Sequence, residues 1–335
     1  MHARQFARRN GPKASWPVSL ISSWRAAVIA LLLCASGVGS VGSAQTAQAP
    51  PPATKPANPA APTAQGAPVE PLKLPVKDGS VKFLVIGDSG TGDRAQFEVG
   101  EQIAKEHQRF KFDFAIMLGD NMYGGERPQD FLQKFEKPYK PLLDAGVKFY
   151  ASLGNHDDPN QRFYKPFNMG GERYYTYTKG PVRFFALDSN YMDEKQLDWL
   201  EKELKSSNDP WKIGYFHHPL YSSGARHGSE VDLRAQLEPL FLKYGVSAVF
   251  AGHEHFYERI HPQKGIAYFT SGGAAKLRRG NIQRGPMTAV GFDTDRSFML
   301  VEISGDELYF QTFSRVGKTV DSGSVARVKE PAATR

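Results

Sequence analysis

Cysteine is almost absent from this 335-residue chain, which carries only Cys34. A lone thiol excludes an internal disulfide framework and any thiolate cluster, so a metal site here must use nitrogen and oxygen donors. Long apolar runs are missing too. None reaches the roughly eighteen residues that a membrane span requires, which argues against an integral membrane protein. Acids are absent from residues 1–44, where Arg4, Arg8, Arg9, Lys13 and Arg25 stand unopposed. Those five carry most of the net charge of +7, because without them 37 of the 42 bases face 35 acids. The remainder therefore offers no basic field for a nucleic-acid polymer, and none is expected as a partner.

The unopposed bases, the apolar stretch from Ala26 to Ala35 and the small residues ending Val41-Gly42-Ser43-Ala44 have the layout of an export signal. Cleavage is expected after Ala44, giving a periplasmic or secreted protein with no membrane span in the mature chain. Two variants of this route have weaker support. Arg8-Arg9 is followed by Asn10-Gly11-Pro12, a poor continuation for a twin-arginine signal, and Leu33 precedes Cys34 where a lipid-anchoring box carries a small residue. Residues 45–78 read as an Ala/Pro-rich disordered linker, 79–314 as the catalytic domain and 315–335 as a disordered tail.

Within the folded part, Val81–Ile86 is a strand-like apolar run stopped by Gly87-Asp88-Ser89-Gly90. Helical periodicity follows over 94–109, then a buried strand at 112–118, a helical stretch at 128–144 and a strand at 147–153. Strands at 174–178 and 182–187, a helix at 194–206, a strand at 212–216, a helix at 230–244 and a strand at 246–251 continue the alternation. Three further strands are expected at 266–270, 298–303 and 308–313. The pattern implies an α/β fold with largely parallel pairing, completed by a second sheet or an antiparallel addition.

Ligand sites in open α/β sheets lie beyond the carboxyl ends of strands. This chain sets its most reactive residues there: Asp88 after one strand, Asp120 to Tyr123 after the next, then Asn155-His156-Asp157, His217-His218 and His253-Glu254-His255. Six of the nine histidines, at 156, 217, 218, 227, 253 and 255, lie in or near these loops. Asp, Asn, His and Tyr without Cys form a donor set suited to iron, zinc or manganese. A close pair of such ions needs a bridging carboxylate, imidazoles and neutral oxygen donors, all of which are available here.

Five ordered blocks carry a resemblance: Gly87-Asp88-Ser89-Gly90, Gly119-Asp120-Asn121-Met122-Tyr123, Gly154-Asn155-His156-Asp157, Tyr215-Phe216-His217 and Gly252-His253-Glu254-His255. Together they resemble the calcineurin-like metallophosphoesterases, specifically the short, single-domain purple acid phosphatases, over about residues 81–313. The resemblance implies a four-layer sandwich of two mixed β-sheets flanked by helices. It further implies ferric iron on Asp88, Asp120, Tyr123 and His255, and iron, zinc or manganese on Asp120, Asn155, His217 and His253, with Asp120 bridging. Aligning Pro219 with the family's proline puts His217, rather than His218, on the metal.

The reaction implied is hydrolysis of small phosphomonoesters by in-line attack of a metal-bound hydroxide. His156 stands as general acid or phosphate donor, and Asp157 either orients it or is purely structural. Arg226 and His227 occupy positions where larger members place phosphate-contacting histidines. Arg259 and Asp188 are expected to be supporting partners. The rival readings are a phosphodiesterase or nucleotidase with the same centre and, more remotely, a non-catalytic binding protein on this scaffold.

Overall fold

The computed structural model describes residues 70–329. The expected signal segment, and the linker up to residue 69, lie outside the described residues.

Two sheets form the centre, and the pleat of each strand explains how. In β1 (Val81–Ile86), Val81, Phe83 and Val85 point between the sheets, whereas Leu84 and Ile86 point outward beneath a helical layer. In β2 (Phe114–Leu118), Phe114, Ile116 and Leu118 turn inward, and Ala115 and Met117 turn outward. A strand buried on both faces reads as a continuous apolar run, so these runs were conspicuous in the sequence. β3 (Lys148–Ser152) continues this parallel set, and β11 (Ser297–Ser304), β12 (Glu307–Ser314) and β13 (Thr319–Ala326) extend it antiparallel, in the order β13-β12-β11-β1-β2-β3.

The second sheet has seven strands, ordered β10-β8-β9-β7-β6-β5-β4. Its parallel heart is β5 (Val182–Ala186), β6 (Trp211–Phe216), β7 (Ala248–Ala251) and β9 (Ile266–Ser271). Antiparallel strands β4 (Tyr175–Lys179), β8 (Tyr257–Gln263) and β10 (Thr288–Phe292) complete it. The facing surfaces interdigitate through aromatic rings: Phe83 stacks on Phe114 at 5.3 Å and meets Phe184 edge-on at 5.3 Å.

Helices cover the outer faces. On α1 (Arg94–Arg109), capped by the Asp93 carboxylate at 3.0 Å from the Gln96 amide, Val99 and Ile103 pack on the first sheet. Leu200 and Leu204 of α4 (Glu194–Ser206) and Leu237 and Phe241 of α5 (Val231–Lys243) pack on the second. The four-layer arrangement with two mixed sheets is thus present.

Three expectations are corrected. The helical stretch at 128–144 is broken into α2 (Pro128–Phe131), a π turn at Leu132–Glu136 and α3 (Lys140–Asp144), because Pro138 and Pro141 lack the N–H that a continuous helix needs. The tail expected to be disordered contains β13, whose residues pair in antiparallel register with β12. The linker expected to run to residue 78 is fastened to the domain over its last part. Leu74 is buried in the first outer core, and the Lys73 amide bonds Gln311 at 2.7 Å. The amides of Val76 and Lys77 and the Ser80 hydroxyl all donate to the buried Glu302 carboxylate at 2.6–2.8 Å.

Candidate metal centre

The parallel strands β1, β2 and β3 and their counterparts β6 and β7 all end at one edge of the sandwich, and the chain turns sharply there. Six non-glycine residues among those described have positive φ, and three of them are Asp88 (55°), Asp120 (49°) and His253 (68°). A left-handed backbone at such residues costs of order 1–3 kcal/mol each and persists where surroundings enforce it, commonly at functional sites. Close packing enforces it here. Gly154 has no room for a Cβ, which would fall on the backbone nitrogen and Oδ1 of Asp120. Gly119, at φ 82°, would bring a Cβ to 2.7 Å from the His217 Nδ1.

The side chains form two adjoining groups. In the first, Tyr123 Oη lies 3.0 Å from Asp88 Oδ1 and 3.3 Å from His255 Nε2, which is itself 3.3 Å from Asp88 Oδ1. In the second, Asn155 Oδ1 lies 2.9 Å from His217 Nε2 and 3.0 Å from His253 Nδ1, and the two imidazole nitrogens are 3.1 Å apart. Asp120 stands between them, with Oδ1 3.4 Å from His217 Nε2 and 2.9 Å from the His156 amide that donates to it. All seven expected ligands are therefore brought together. His217 is buried, with Nδ1 on the Leu118 carbonyl at 2.8 Å, which leaves Nε2 facing the cluster. His218 borders the same cluster, and its Nδ1 pairs with the Ser189 hydroxyl at 2.8 Å.

The electrostatics fit cations. Burial, and then the neighbouring Asp120 charge, hold the Asp88 carboxyl well above the usual carboxylate range. Burial holds His217 well below its ordinary value and takes His255 down to about 4 and His253 down to about 2. The next causes are His218 for His217, Arg278 for His255 and His217 for His253. Burial also raises the Tyr123 phenol, reinforced by Asp88 and Asp120. Crowded carboxylates and neutral imidazoles around shared space are what divalent or trivalent ions stabilise, so these residues suit a two-metal centre.

Asp157 does not orient His156. Its carboxylate accepts the amides of Gly154 (2.8 Å), Asn121 (3.1 Å) and Met122 (2.9 Å), and Gln161 Nε2 at 2.8 Å. It locks two ligand loops together, which is the structural role. His156 is exposed, and its ring lies 5.0 Å from that of Tyr123. His227 reaches the cluster, its ring 4.3 Å from that of His253, whereas Arg226 is exposed at the rim of the site. Arg259 is a structural partner that pairs with Asp321 at 2.7 Å, and Asp188 pairs with Arg173 at 2.8 Å.

Three contributors went unread in the sequence. Lys276 Nζ stands 4.5 Å from the Tyr123 ring centroid. Arg278 donates to Glu254 at 3.3 Å, and its backbone amide bonds the His255 carbonyl at 3.0 Å. Glu254 itself is fully buried and ties three segments together, accepting the Gly228 amide at 2.9 Å and Asn281 Nδ2 at 3.1 Å besides Arg278. The available signal was that Ser271-Gly272-Gly273 ends another parallel strand, β9, and turns the chain at the same edge.

Comparison with known proteins agrees with this geometry. The sequence profile of the family described as "Calcineurin-like phosphoesterase" matches residues 81–257, more than half of the chain. The chain belongs to that family. Purple acid phosphatase 7 of Arabidopsis thaliana is 29% identical over 77% of this chain and 91% of its own length. Purple acid phosphatase 17 of the same plant is 30% identical over 64% of this chain and 73% of its own length. Among solved structures, GAP50, titled "the anchor in the inner membrane complex of Plasmodium", aligns with a TM-score of 0.67 at 19% identity, over 76% of this chain and 90% of that one. That likeness is one of fold. Within the calcineurin-like family the chain is a hydrolase of the purple acid phosphatase type, and it carries candidate donors for the dinuclear centre typical of that family. No helix among the described residues is long and apolar enough to cross a membrane.

Proposed function

We propose that this protein is an exported acid phosphatase that hydrolyses small phosphomonoesters at a two-metal centre. The observation that supports it most is the joining of two donor groups through one carboxylate, Asp120. Asp88, Tyr123 and His255 lie on one side, and Asn155, His217 and His253 on the other. Ferric iron belongs on the Tyr123 side, where a phenolate donor suits it, and iron, zinc or manganese on the Asn155 side. When bound, such a pair supplies Lewis acidity that lowers the pKa of water and offsets the charge of phosphoryl oxygens.

The chain's own residues supply the rest. Asp157 and Glu254 hold the ligand loops so that little reorganisation is needed on binding. His156, solvent-facing beside Tyr123, donates to the phosphoryl group or protonates the leaving oxygen. Lys276, Arg278 and His227 surround the cluster with donors and positive charge for a phosphate ester. The amino-terminal layout of bases, apolar stretch and small residues carries the reading of export.

The test combines metal analysis with kcat/KM for an aryl phosphomonoester and a bis-aryl phosphodiester, in wild type and Asp120→Asn. The expected result is two metals per chain, monoester preference, and loss of both metal and activity in the variant. Preference for the diester would move the activity to phosphodiester cleavage. Metal-free wild type without hydrolysis would instead favour a binding role on this scaffold, a reading that the fold likeness to a protein titled an anchor keeps in view.

A further inference from the structure

A cavity of about 400 Å³ opens directly beside the metal centre, and Asn155 and His218 belong to its wall. Its other side is built from the loop after β5 and the start of α5: Ser189, Asn190, Tyr191, Glu230 and Leu233. No lysine or arginine lines it. The cations of the site, Lys276 and Arg278, instead adjoin Tyr123 and Glu254.

The wall presents acceptors in need of donors. Asn190 Nδ2 donates to the Leu153 carbonyl at 3.2 Å and to Asp188 Oδ1 at 3.0 Å, so the amide cannot be flipped without setting oxygen against oxygen. Its Oδ1 is consequently left buried and unpartnered. Such an atom costs free energy unless something donates to it. The Glu230 carboxylate makes no hydrogen bond or ion pair with any other described residue. Asp188 on the same wall is already neutralised by Arg173 at 2.8 Å, so Glu230 sets the charge of the cavity. Tyr191, 61% exposed, and Leu233 provide apolar surface for a carbon skeleton.

We propose that this cavity receives the alcohol half of the ester and selects alcohols that carry hydrogen-bond donors and no negative charge, such as polyols and sugars. The proposal rests on the phosphatase reading, since it assumes that the phosphoryl group lies over the metal cluster. An anionic leaving group would meet Glu230 and the Asn190 oxygen with no compensating cation, and such repulsion is a common source of specificity.

The matched pair of glycerol 1-phosphate and 3-phosphoglycerate, which differ by a hydroxymethyl against a carboxylate, tests this in the full chain. Wild type is expected to favour glycerol 1-phosphate in kcat/KM by roughly tenfold or more. Glu230→Lys should bring that ratio towards one or invert it, and Asn190→Leu, which removes the unpartnered acceptor, should shrink it mainly through the KM of glycerol 1-phosphate. The second variant serves if the first fails to fold. Methyl phosphate, too small to fill the cavity, reports on the wild-type centre alone. If it is hydrolysed while the glycerol preference is absent, or the ratio is unmoved by both substitutions, the cavity assignment is overturned and the phosphatase reading stands. If wild type hydrolyses none of the three, both are overturned.

Discussion

Replacing Glu254 by Gln isolates the contribution of a carboxylate that touches three segments at once. One oxygen accepts the Gly228 amide at 2.9 Å, and the other accepts Asn281 Nδ2 at 3.1 Å and Arg278 at 3.3 Å. Glutamine can keep only one of these two sets, because its amide nitrogen donates where the other oxygen accepted. The cheaper orientation turns that nitrogen towards Gly228 and leaves one buried N–H unsatisfied, at about 1–3 kcal/mol. Arg278, whose side chain is 22% exposed, loses its charge partner but can rehydrate, so this loss adds little. For a domain of this size the cost corresponds to a fall in Tm of roughly 2–12 °C. The loop that carries His227 should loosen, raising KM for a phosphomonoester more than it lowers kcat. Differential scanning calorimetry and steady-state kinetics read both effects. A Tm within about 1 °C of wild type together with an unchanged KM would refute the argument that Glu254 holds this loop.

Gly154→Ala should displace the Asp120 carboxylate, and misplacement on the scale of an ångström costs about 10²-fold in rate; metal content by plasma mass spectrometry should fall with it. Tyr123→Phe removes the 3.0 Å hydrogen bond to Asp88 but keeps the ring, so the protein should fold and any visible absorption from a ferric phenolate should vanish. His107 gives a pH dependence remote from the metal centre: burial holds it below its ordinary value, while its Nε2 lies 3.1 Å from the Phe112 carbonyl. The unfolded chain then binds a proton that the folded chain resists, so stability is present above pH about 6.5 and declines as pH falls below it, by at most about 1.4 kcal/mol per pH unit for one group. His107→Gln, compared with wild type in urea denaturation at pH 7 and pH 5, should show a shallower decline.

Much of the site was legible because chemistry and topology coincide in this fold. Each ligand loop follows an apolar run buried on both faces, so Asp88, Asp120, Asn155, His217 and His253 stood out against their surroundings. The role of Asp157 was undecided, because its partners Asn121 and Met122 lie 35 and 36 positions earlier and only the folded chain brings them near. Lys276 and Arg278 were passed over because Ser271-Gly272-Gly273 carries no ligand-type side chain to draw attention to its strand end. β13 escaped because Thr319–Ala326 contains few apolar residues, and its pairing depends on the register offered by β12. The broken helix at 128–144 could have been anticipated from Pro138 and Pro141, since the apolar spacing that suggested it ignores missing donors.

The fastening of residues 73–80 to Glu302 and Gln311 separates the outline of the repeating strands from the unit that folds. A shortened chain beginning at residue 79, just ahead of the first strand, would keep every strand and every candidate ligand. It would nevertheless strip Glu302 of the Val76 and Lys77 amides and leave a carboxylate in the sheet with the Ser80 hydroxyl as its one remaining donor from this segment. Such a truncation should express as a less stable protein although no catalytic group has been touched, and adding back nine residues, from Glu70, should restore it.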